Sequence, residues 1–300
     1  MSSRGRRRAA SVRKDVETDG SDAEHSDQPS QDSEEESASD AEDDDGAEAK
    51  QRKRKSAASS ANAKATKKQK LTAESAQEVR VSDSTIKFLK ELAANNDREW
   101  FRTNKSRYDQ AKAEFDRLAR YVYQRLREVD PTLKDEDGAK MVFRIYRDVR
   151  FGGLPYKTHF AAGFGTTGRK GNSAKYYFQI GGEEHFTGAG RWQPESPTLF
   201  TIRSNLANDA SRLKGVLEQA EFKKTFGNSF WDESDGNKLK TAPKGFDKNH
   251  DDIELLKFKS FTVGRKFTDA DVVAENFAKK LVETLSTAVP FVAELNRLGR

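Results

Sequence analysis

The sequence predicts an α+β domain in which an antiparallel sheet is flanked by helices, preceded by a disordered charged tail. Three observations favour this class. All Phe, Trp and Tyr residues lie beyond residue 80, which leaves the first part of the chain without a core. Short apolar-alternating segments follow one another between residues 142 and 192, and stretches with helical apolar spacing stand before and after them. We therefore divide the chain into a tail, residues 1–81, and a single α+β domain, residues 82–300.

The tail has too little apolar surface to fold by itself. It contains no Phe, Trp, Tyr or Ile and one Leu, Leu71, so burial cannot offset the conformational entropy that folding would cost. Its charge alternates in blocks, and the last two are the basic clusters 50–55 and 64–70. Two basic clusters joined by a short polar spacer are typical of a bipartite nuclear-import signal. We therefore expect a nuclear protein that binds an import carrier through Lys50–Lys70; the alternative is a generic basic arm that touches nucleic acid.

The net charge of +5 is unevenly distributed. The first 80 residues hold 16 Lys and Arg against 18 Asp and Glu, and the remainder holds 38 against 31. A basic folded region is consistent with polyanion binding, and equally with lysines that keep a surface soluble. The chain has no cysteine, which excludes disulfides, zinc–thiolate sites and a cysteine nucleophile. No apolar run is long enough to cross a bilayer, so we expect no membrane partner.

Helices are predicted at both ends of the domain. The first begins near Ser82–Ser84 and ends at Asn95–Asn96; the second is capped by Asp97 or Asn96 and continues to about Val129. Further helices are predicted from Pro194 to Leu217, over Ile253–Leu256 and over Asp269–Leu298, where Pro290 should kink or split the chain. Four β-segments are predicted between the two groups: Val142–Arg147, His159–Phe164, Lys175–Ile180 and Glu184–Trp192. A further extended segment is expected at Lys259–Val263.

The segment Met141–Phe160 concentrates positive charge around one acid, Asp148. Its alternation predicts Phe143 and Ile145 as its anchor in the core, with the cations on the other side. Arginine forks and a lysine ammonium are suited to phosphate or carboxylate, so the segment is a candidate anion site. The predicted ligand-binding residues are Arg144, Tyr146, Arg147, Arg150, Lys157, Lys244 and His250. The alternative is a structural knot, in which Asp148 and other acids pair with the arginines.

Two neighbouring features extend this hypothesis. Gly165–Gly171, with Arg169 and Lys170, is predicted to add a basic lip to the site. Tyr176, Tyr177, Phe178, Phe186 and Trp192 form an aromatic series that is suited to base stacking. Their alternation also fits core packing, with Tyr177 or Trp192 as exceptions.

An enzymatic alternative uses the same cluster. His159 would act as general acid and base, oriented by Asp148, while an arginine holds a phosphate, as in a hydrolase acting on a small phosphorylated or acidic substrate. The sequence contains no GxSxG, Walker or HExxH motif, and we expect neither a cofactor nor a metal. The leading expectation is a nuclear protein whose domain binds a phosphate-bearing ligand or partner, with nucleic acid and chromatin as candidates.

The order and spacing of several motifs resemble a known family. The runs FLKELAANNDREWFRTNKSRYDQA, FRIYRDVRF, PYKTHF, YYFQI, GRWQPE, LKTAPKGFDKNH and KSFTVGR are similar to the family catalogued as domain of unknown function 2461, found in bacteria and fungi. The resemblance covers Ile86 to Leu298, and the tail resembles extensions of fungal members. It implies that Met141–Phe160 is a family signature and that the domain is one unit. It implies no activity, ligand or catalytic residue.

Overall fold

The structure, a computed structural model, describes residues 79–150, 153–227 and 236–300. Residues 1–78 of the predicted tail, including Lys50–Lys70, lie outside the described residues. Val79 and Val81 are buried among the core residues. The folded region therefore begins before residue 82, where the sequence boundary was placed.

The first part of the domain is helical, as predicted, but it has one more break than expected. It contains α1 (Asp83–Ala94), α2 (Arg98–Thr103) and α3 (Lys105–Val129). The Asp97 carboxylate accepts hydrogen bonds from the N–H groups of Glu99 and Trp100, which confirms it as an N-cap. The expected single helix from Asp97 to Val129 is wrong, because it is divided at Asn104. The Asn104 side chain donates to the carbonyl of Trp100 at 2.9 Å and so satisfies a carbonyl at the end of α2.

The sheet is antiparallel and, in the described residues, four-stranded with the order β1-β2-β3-β4. The strands are β1 (His159–Gly165), β2 (Lys175–Gly181), β3 (His185–Arg191) and β4 (Phe261–Phe267). The predicted strand Val142–Arg147 is wrong. It follows a 3-10 helix (Gly138–Met141) and makes only isolated bridges, from Val142 to Ala162 and from Tyr146 to Tyr156. It therefore lies against the edge of the sheet at β1 without a continuous ladder.

The remaining helices lie in the second half of the chain. They are α4 (Ser196–Asn208), α5 (Ser211–Leu217), α6 (Ala220–Phe226), α7 (Ile253–Leu256), α8 (Asp269–Val273), α9 (Phe277–Thr287) and α10 (Val289–Leu298). Pro290 stands in the first turn of α10, where its missing N–H costs nothing, so the predicted split at this residue is confirmed. A second break, between Val273 and Phe277, divides α8 from α9, and here the prediction of a continuous helix from Asp269 is wrong. In the described ranges, no helix has both the length and the apolar character needed to span a membrane.

One face of the sheet carries the core. Along β2, Tyr176, Phe178 and Ile180 are buried while the residues between them are half-buried. Phe115 of α3 packs against Phe178 and against Phe160 of β1, with ring centroids 5.1 and 5.4 Å apart. Helices α9 and α10 contact β3. Because side chains alternate along a strand, the intervening residues form a second face, and that face holds the candidate site.

Candidate functional site

Five of the twelve residues that the register aligns on the second face of the sheet are glycines. The register aligns three rows across the strands: Gly165, Lys175, Gly190, Thr262; then Gly163, Tyr177, Gly188, Gly264; then Ala161, Gln179, Phe186, Lys266. Two of these glycines cannot be replaced without a collision. A Cβ on Gly188 would lie 2.6 Å from the Val263 carbonyl oxygen, and one on Gly190, at φ +130°, would lie 2.0 Å from that of Phe261. We call this surface the glycine face. It forms a floor of largely bare backbone, from which a few long side chains project.

A cleft of about 560 Å³ lies over this floor. One wall is the end of the β1–β2 loop, residues 169–173, and another is the segment 192–195 that follows β3. Phe143 lines it from the edge segment, although the sequence alternation had placed Phe143 in the core. A Cβ on Gly163 would lie 3.2 Å from the Phe143 ring, so this ring lies directly against the backbone of the floor. A cavity of this volume is in the range that holds small organic ligands.

Lys175 stands in the first row of the floor, flanked by two glycines. Its ammonium donates to the carbonyl oxygens of Gly171 and Ser173 in the adjacent loop. Burial lowers the pKa of Lys175, and the positive charge of Arg191 lowers it further. Among the described residues, no carboxylate pairs with this lysine.

Arg191 ends β3 and lines the same cleft. It is 6% exposed, and burial lowers its pKa. Its guanidinium donates to the carbonyl of Asn172 at 2.6 Å, while its Nε is buried without a hydrogen-bond partner. Gly299 packs against it, since a Cβ there would lie 2.6 Å from the guanidinium. Within the part of the chain that the structure describes, Arg191 too makes no ion pair.

The rest of the lining has little negative charge. Arg169 and Lys170 line the cleft from the predicted basic lip, and Glu195 is the one carboxylate among the lining residues that the structure describes. Thr262, in the same row as Lys175, has a buried hydroxyl without a hydrogen-bond partner. Buried polar atoms are normally satisfied, so the Arg191 Nε–H and the Thr262 hydroxyl are groups that a bound ligand or water would satisfy.

Aromatic rings form a continuous series beside the cations. The Tyr177 ring lies 6.4 Å from that of Phe143 and 5.3 Å from that of Phe186, and all three are half-buried. Lys157 and Arg169 each lie over the Phe143 ring, at 5.8 and 5.5 Å from its centroid. Trp192 is 58% exposed on the cleft wall. Of the predicted aromatic series, Tyr176 and Phe178 belong to the core, whereas Tyr177, Phe186 and Trp192 belong to the cleft.

The backbone beside Trp192 is held in an unusual conformation. Gln193 has φ +40°, a left-handed value that costs free energy for a residue with a side chain. Its N–H donates to the hydroxyl of Ser260 at 2.9 Å, and the Asn237 amide holds Ser260 through two further hydrogen bonds. The wall that carries Trp192 is therefore held in place by Ser260, directly before β4, and through it by Asn237.

Most of the predicted cluster lies outside this cleft. Arg144, Tyr146, Arg147 and Arg150 are exposed, and none of them lines it. Asp148 accepts hydrogen bonds from the Arg150 guanidinium at 2.6 and 3.0 Å and from its backbone N–H at 3.0 Å. The side-chain hydrogen bonds of Arg150 lower the pKa of Asp148 to about 2. This is a pairing that the structural-knot alternative expects, here between residues two apart in the chain and near the surface.

The other predicted residues are dispersed. Lys157 does not line the cleft, but it lies over the Phe143 ring, which does. His159 begins β1, opposite Gly181, whereas the Asp148 carboxylate is held by Arg150. Lys244 is exposed, and the His250 ring links Ala207 to the start of α7 through hydrogen bonds of 2.9 and 3.0 Å. The seven predicted ligand-binding residues are thus not brought to one pocket.

Metal binding has no support in the described ranges, where no group of three His, Asp or Glu side chains is placed to hold an ion. The residues that sequence reasoning missed are Lys175, Arg191 and Thr262. A usable signal was present: Gly163 and Gly165 alternate in β1 as Gly188 and Gly190 do in β3. Alternate glycines in two strands of one sheet indicate a sheet face that has few side chains.

Comparison with known proteins agrees with the family resemblance and adds no activity. No curated protein and no solved structure matches the chain. Residues 84–293 match the family described as conserved hypothetical protein (DUF2461). The match spans α1 to α10 and includes every strand and every lining residue of the cleft. The chain is therefore a member of the DUF2461 family.

Proposed function

We propose that the domain binds a phosphate-bearing anionic ligand in the cleft over the glycine face. The observation that carries this proposal is the pair Lys175 and Arg191. Both are cations with pKa values lowered by burial, they repel each other, and no acid in the described residues neutralises them. Burying charge without a counter-charge is costly, so such a pair is retained where an anion supplies the missing charge.

The chemistry of the two side chains supports phosphate over a simple halide or metal. Arginine offers a planar fork to two oxygens, and lysine offers a compact charge that adapts to a third. The orphan Nε of Arg191 and the orphan hydroxyl of Thr262 are further donors. Arg169 and Lys170 add positive potential at the wall and would draw an anion towards the cleft.

The exposed arginines would contact a large ligand and not a small one. Arg144, Arg147 and Arg150 follow Phe143 along the chain and lie outside the cleft, so they would touch a long polyanion but not a small ligand. Nucleic acid and chromatin remain candidate partners on this basis. The nuclear location and the import carrier rest on the basic clusters of Lys50–Lys70, outside the described residues. Deleting that segment should abolish nuclear accumulation of a fluorescent fusion, and unchanged accumulation would contradict the import proposal.

The hydrolase alternative receives no support from the cleft. The lining residues that the structure describes include no histidine, and the Asp148 carboxylate is held by Arg150. A general acid–base pair needs the two groups within hydrogen-bond reach of a bound substrate. His159 stays a prediction as a catalytic residue.

The binding proposal is tested by calorimetric titration of the full chain with pyrophosphate. We expect saturable binding that is weakened at least about tenfold in Lys175→Met, since a charge-assisted hydrogen bond contributes about 1.5–3 kcal/mol. Lys266→Met is the matched control, because Lys266 stands on the same sheet face but outside the lining residues. Absence of binding, or equal loss in both variants, would overturn the proposal.

A further inference from the structure

We infer that the ligand of the cleft is a nucleotide unit, with its phosphate at Lys175 and Arg191 and its base stacked on the aromatic wall. The inference rests on the proposed function and narrows its ligand class. It is carried by an arrangement in which phosphate-binding cations and flat apolar surfaces share one small cleft.

The spacing on β2 fits a phosphate and a base joined through one sugar. Lys175 and Tyr177 point to the same face, two residues apart, which corresponds to about 6.6 Å along a strand. Tyr177 is in ring contact with both Phe143 and Phe186, so the apolar surface extends to both sides of it. Gly188 and Gly190, which are opposite Tyr177 and Lys175 in the register, leave room for a planar group to lie parallel to the sheet, as bases do on aromatic platforms.

Trp192 supplies a second aromatic surface. It is the residue next to Arg191, and it remains 58% exposed although a large apolar ring gains free energy from burial. The strained backbone at Gln193, pinned by Ser260, fixes the position of this wall. The backbone that carries this exposed tryptophan is held in place, so binding of a ligand does not have to order the segment.

Glu195 argues against a purely anionic ligand. This carboxylate lines the same cleft as the two cations and would repel inorganic phosphate or polyphosphate that reached it. A ribose hydroxyl or a base amino group would instead donate a hydrogen bond to it. The lining therefore offers cations for a negative charge and one carboxylate for a neutral donor, a combination that a nucleotide satisfies.

The nucleotide unit has two sources, a free nucleotide or one residue of a single strand. Titrations of the full chain with ribose 5-phosphate, AMP and a single-stranded octanucleotide separate them, with tryptophan fluorescence as a second readout. We expect AMP to bind about 5- to 100-fold more tightly than ribose 5-phosphate, the factor that stacking of one base confers. An octanucleotide that binds at least tenfold more tightly than AMP identifies the single strand; equal or weaker binding identifies the free nucleotide.

The matched variants are Trp192→Ala and Phe200→Ala, since Phe200 is 57% exposed but does not line the cleft. Trp192→Ala should weaken AMP binding while leaving ribose 5-phosphate unchanged, and Phe200→Ala should change neither. Equal affinity for AMP and ribose 5-phosphate, with both lost in Lys175→Met, would overturn the nucleotide inference and keep the anion site. If neither binds and pyrophosphate does not bind, both proposals fail.

Discussion

Lys175 and Arg191 bring two positive charges to one loop from adjacent strands, because both side chains donate to backbone carbonyls of residues 171–173. Lys175 is aligned with Gly190 in the β2–β3 register, so Arg191 follows its direct partner. Burial and this neighbouring charge lower the pKa of Lys175, and burial lowers that of Arg191. A fold that needed these residues only for packing would be more stable with neutral side chains here. The pH dependence of the protein's free energy of unfolding therefore reports on these buried charges.

Lys175→Met should remove a pH dependence of stability. Between the lowered pKa of Lys175 and its ordinary value near 10.5, the unfolded chain holds a proton that the folded chain has released. Wild-type stability should therefore rise with pH across this window, and the charge penalty is fully present below it. The variant should lack this rise and match or exceed wild type at pH 7, within ~1 kcal/mol.

Urea denaturation at intervals from pH 7 to pH 10.5 measures this effect, with Lys266→Met as the reference for other titrating groups. Lys266 is an exposed lysine whose ammonium lies 2.8 Å from Glu184. A Lys175→Met variant that is far less stable than wild type at pH 7 would show that its bonds to loop carbonyls outweigh the buried charge.

The glycine face should tolerate no side chain at Gly190. Gly190→Ala places a Cβ 2.0 Å from the Phe261 carbonyl oxygen at φ +130°, so β3 and β4 must separate or the backbone must change conformation. We expect a loss of about 2–5 kcal/mol in the free energy of unfolding. Gly215→Ala in α5 is the control, because nothing lies within 4 Å of its Cβ. It should stabilise by about 0.5–1 kcal/mol, and equal effects of the two substitutions would contradict the close strand contact.

Local signals in the sequence were sufficient for much of the fold. Asp97 is an N-cap because its carboxylate satisfies N–H groups two and three residues on, and Pro290 begins a helix because it lacks an N–H. Both effects depend on near neighbours in the chain. The break at Asn104 is also local, but an asparagine inside a long apolar pattern does not by itself indicate whether its side chain will bond back to the helix.

The candidate site depends on long-range contacts that a single sequence does not display. Arg191 is buried by Gly299 and by the loop carbonyl of Asn172, residues far from it in the chain. Lys175 acquires its position from the register of β2 with β1 and β3. The sequence instead drew attention to arginines close together along the chain, and Arg144, Arg147 and Arg150 are exposed to solvent. Local charge density predicted a basic surface, whereas cation burial requires the tertiary fold.

Arg150→Met should raise the pKa of Asp148 towards its ordinary value. The carboxyl pKa is held at about 2 by the Arg150 side chain, and the partner is on the surface. Because a lowered carboxyl pKa stabilises the fold at neutral pH, this contribution should be lost as the pH falls from about 4 towards 2. NMR titration of the Asp148 carboxyl carbon measures the shift, with Arg147→Met as a control. If Asp148 instead orients His159, Arg150→Met would leave its pKa low.

Tyr176 and Tyr177 should separate stability from binding, because adjacent residues of β2 face opposite sides of the sheet. The buried Tyr176 hydroxyl donates at 2.7 Å to the buried carboxylate of Asp130, the residue that follows the last turn of α3. Tyr176→Phe leaves that oxygen without its donor and should cost about 1–3 kcal/mol of unfolding free energy. Pyrophosphate binding should be unchanged in the folded fraction.

Tyr177→Leu tests the opposite face. Its hydroxyl donates to Gln179 at 2.9 Å, and both residues are half-buried, so the loss of stability should be smaller than that of Tyr176→Phe. The loss of the ring between Phe143 and Phe186 should instead weaken AMP binding relative to ribose 5-phosphate. Urea denaturation and calorimetric titration on both variants give the comparison. A Tyr176→Phe variant that loses AMP binding while Tyr177→Leu keeps it would place the ligand on the helical side of the sheet and contradict the glycine face as the site.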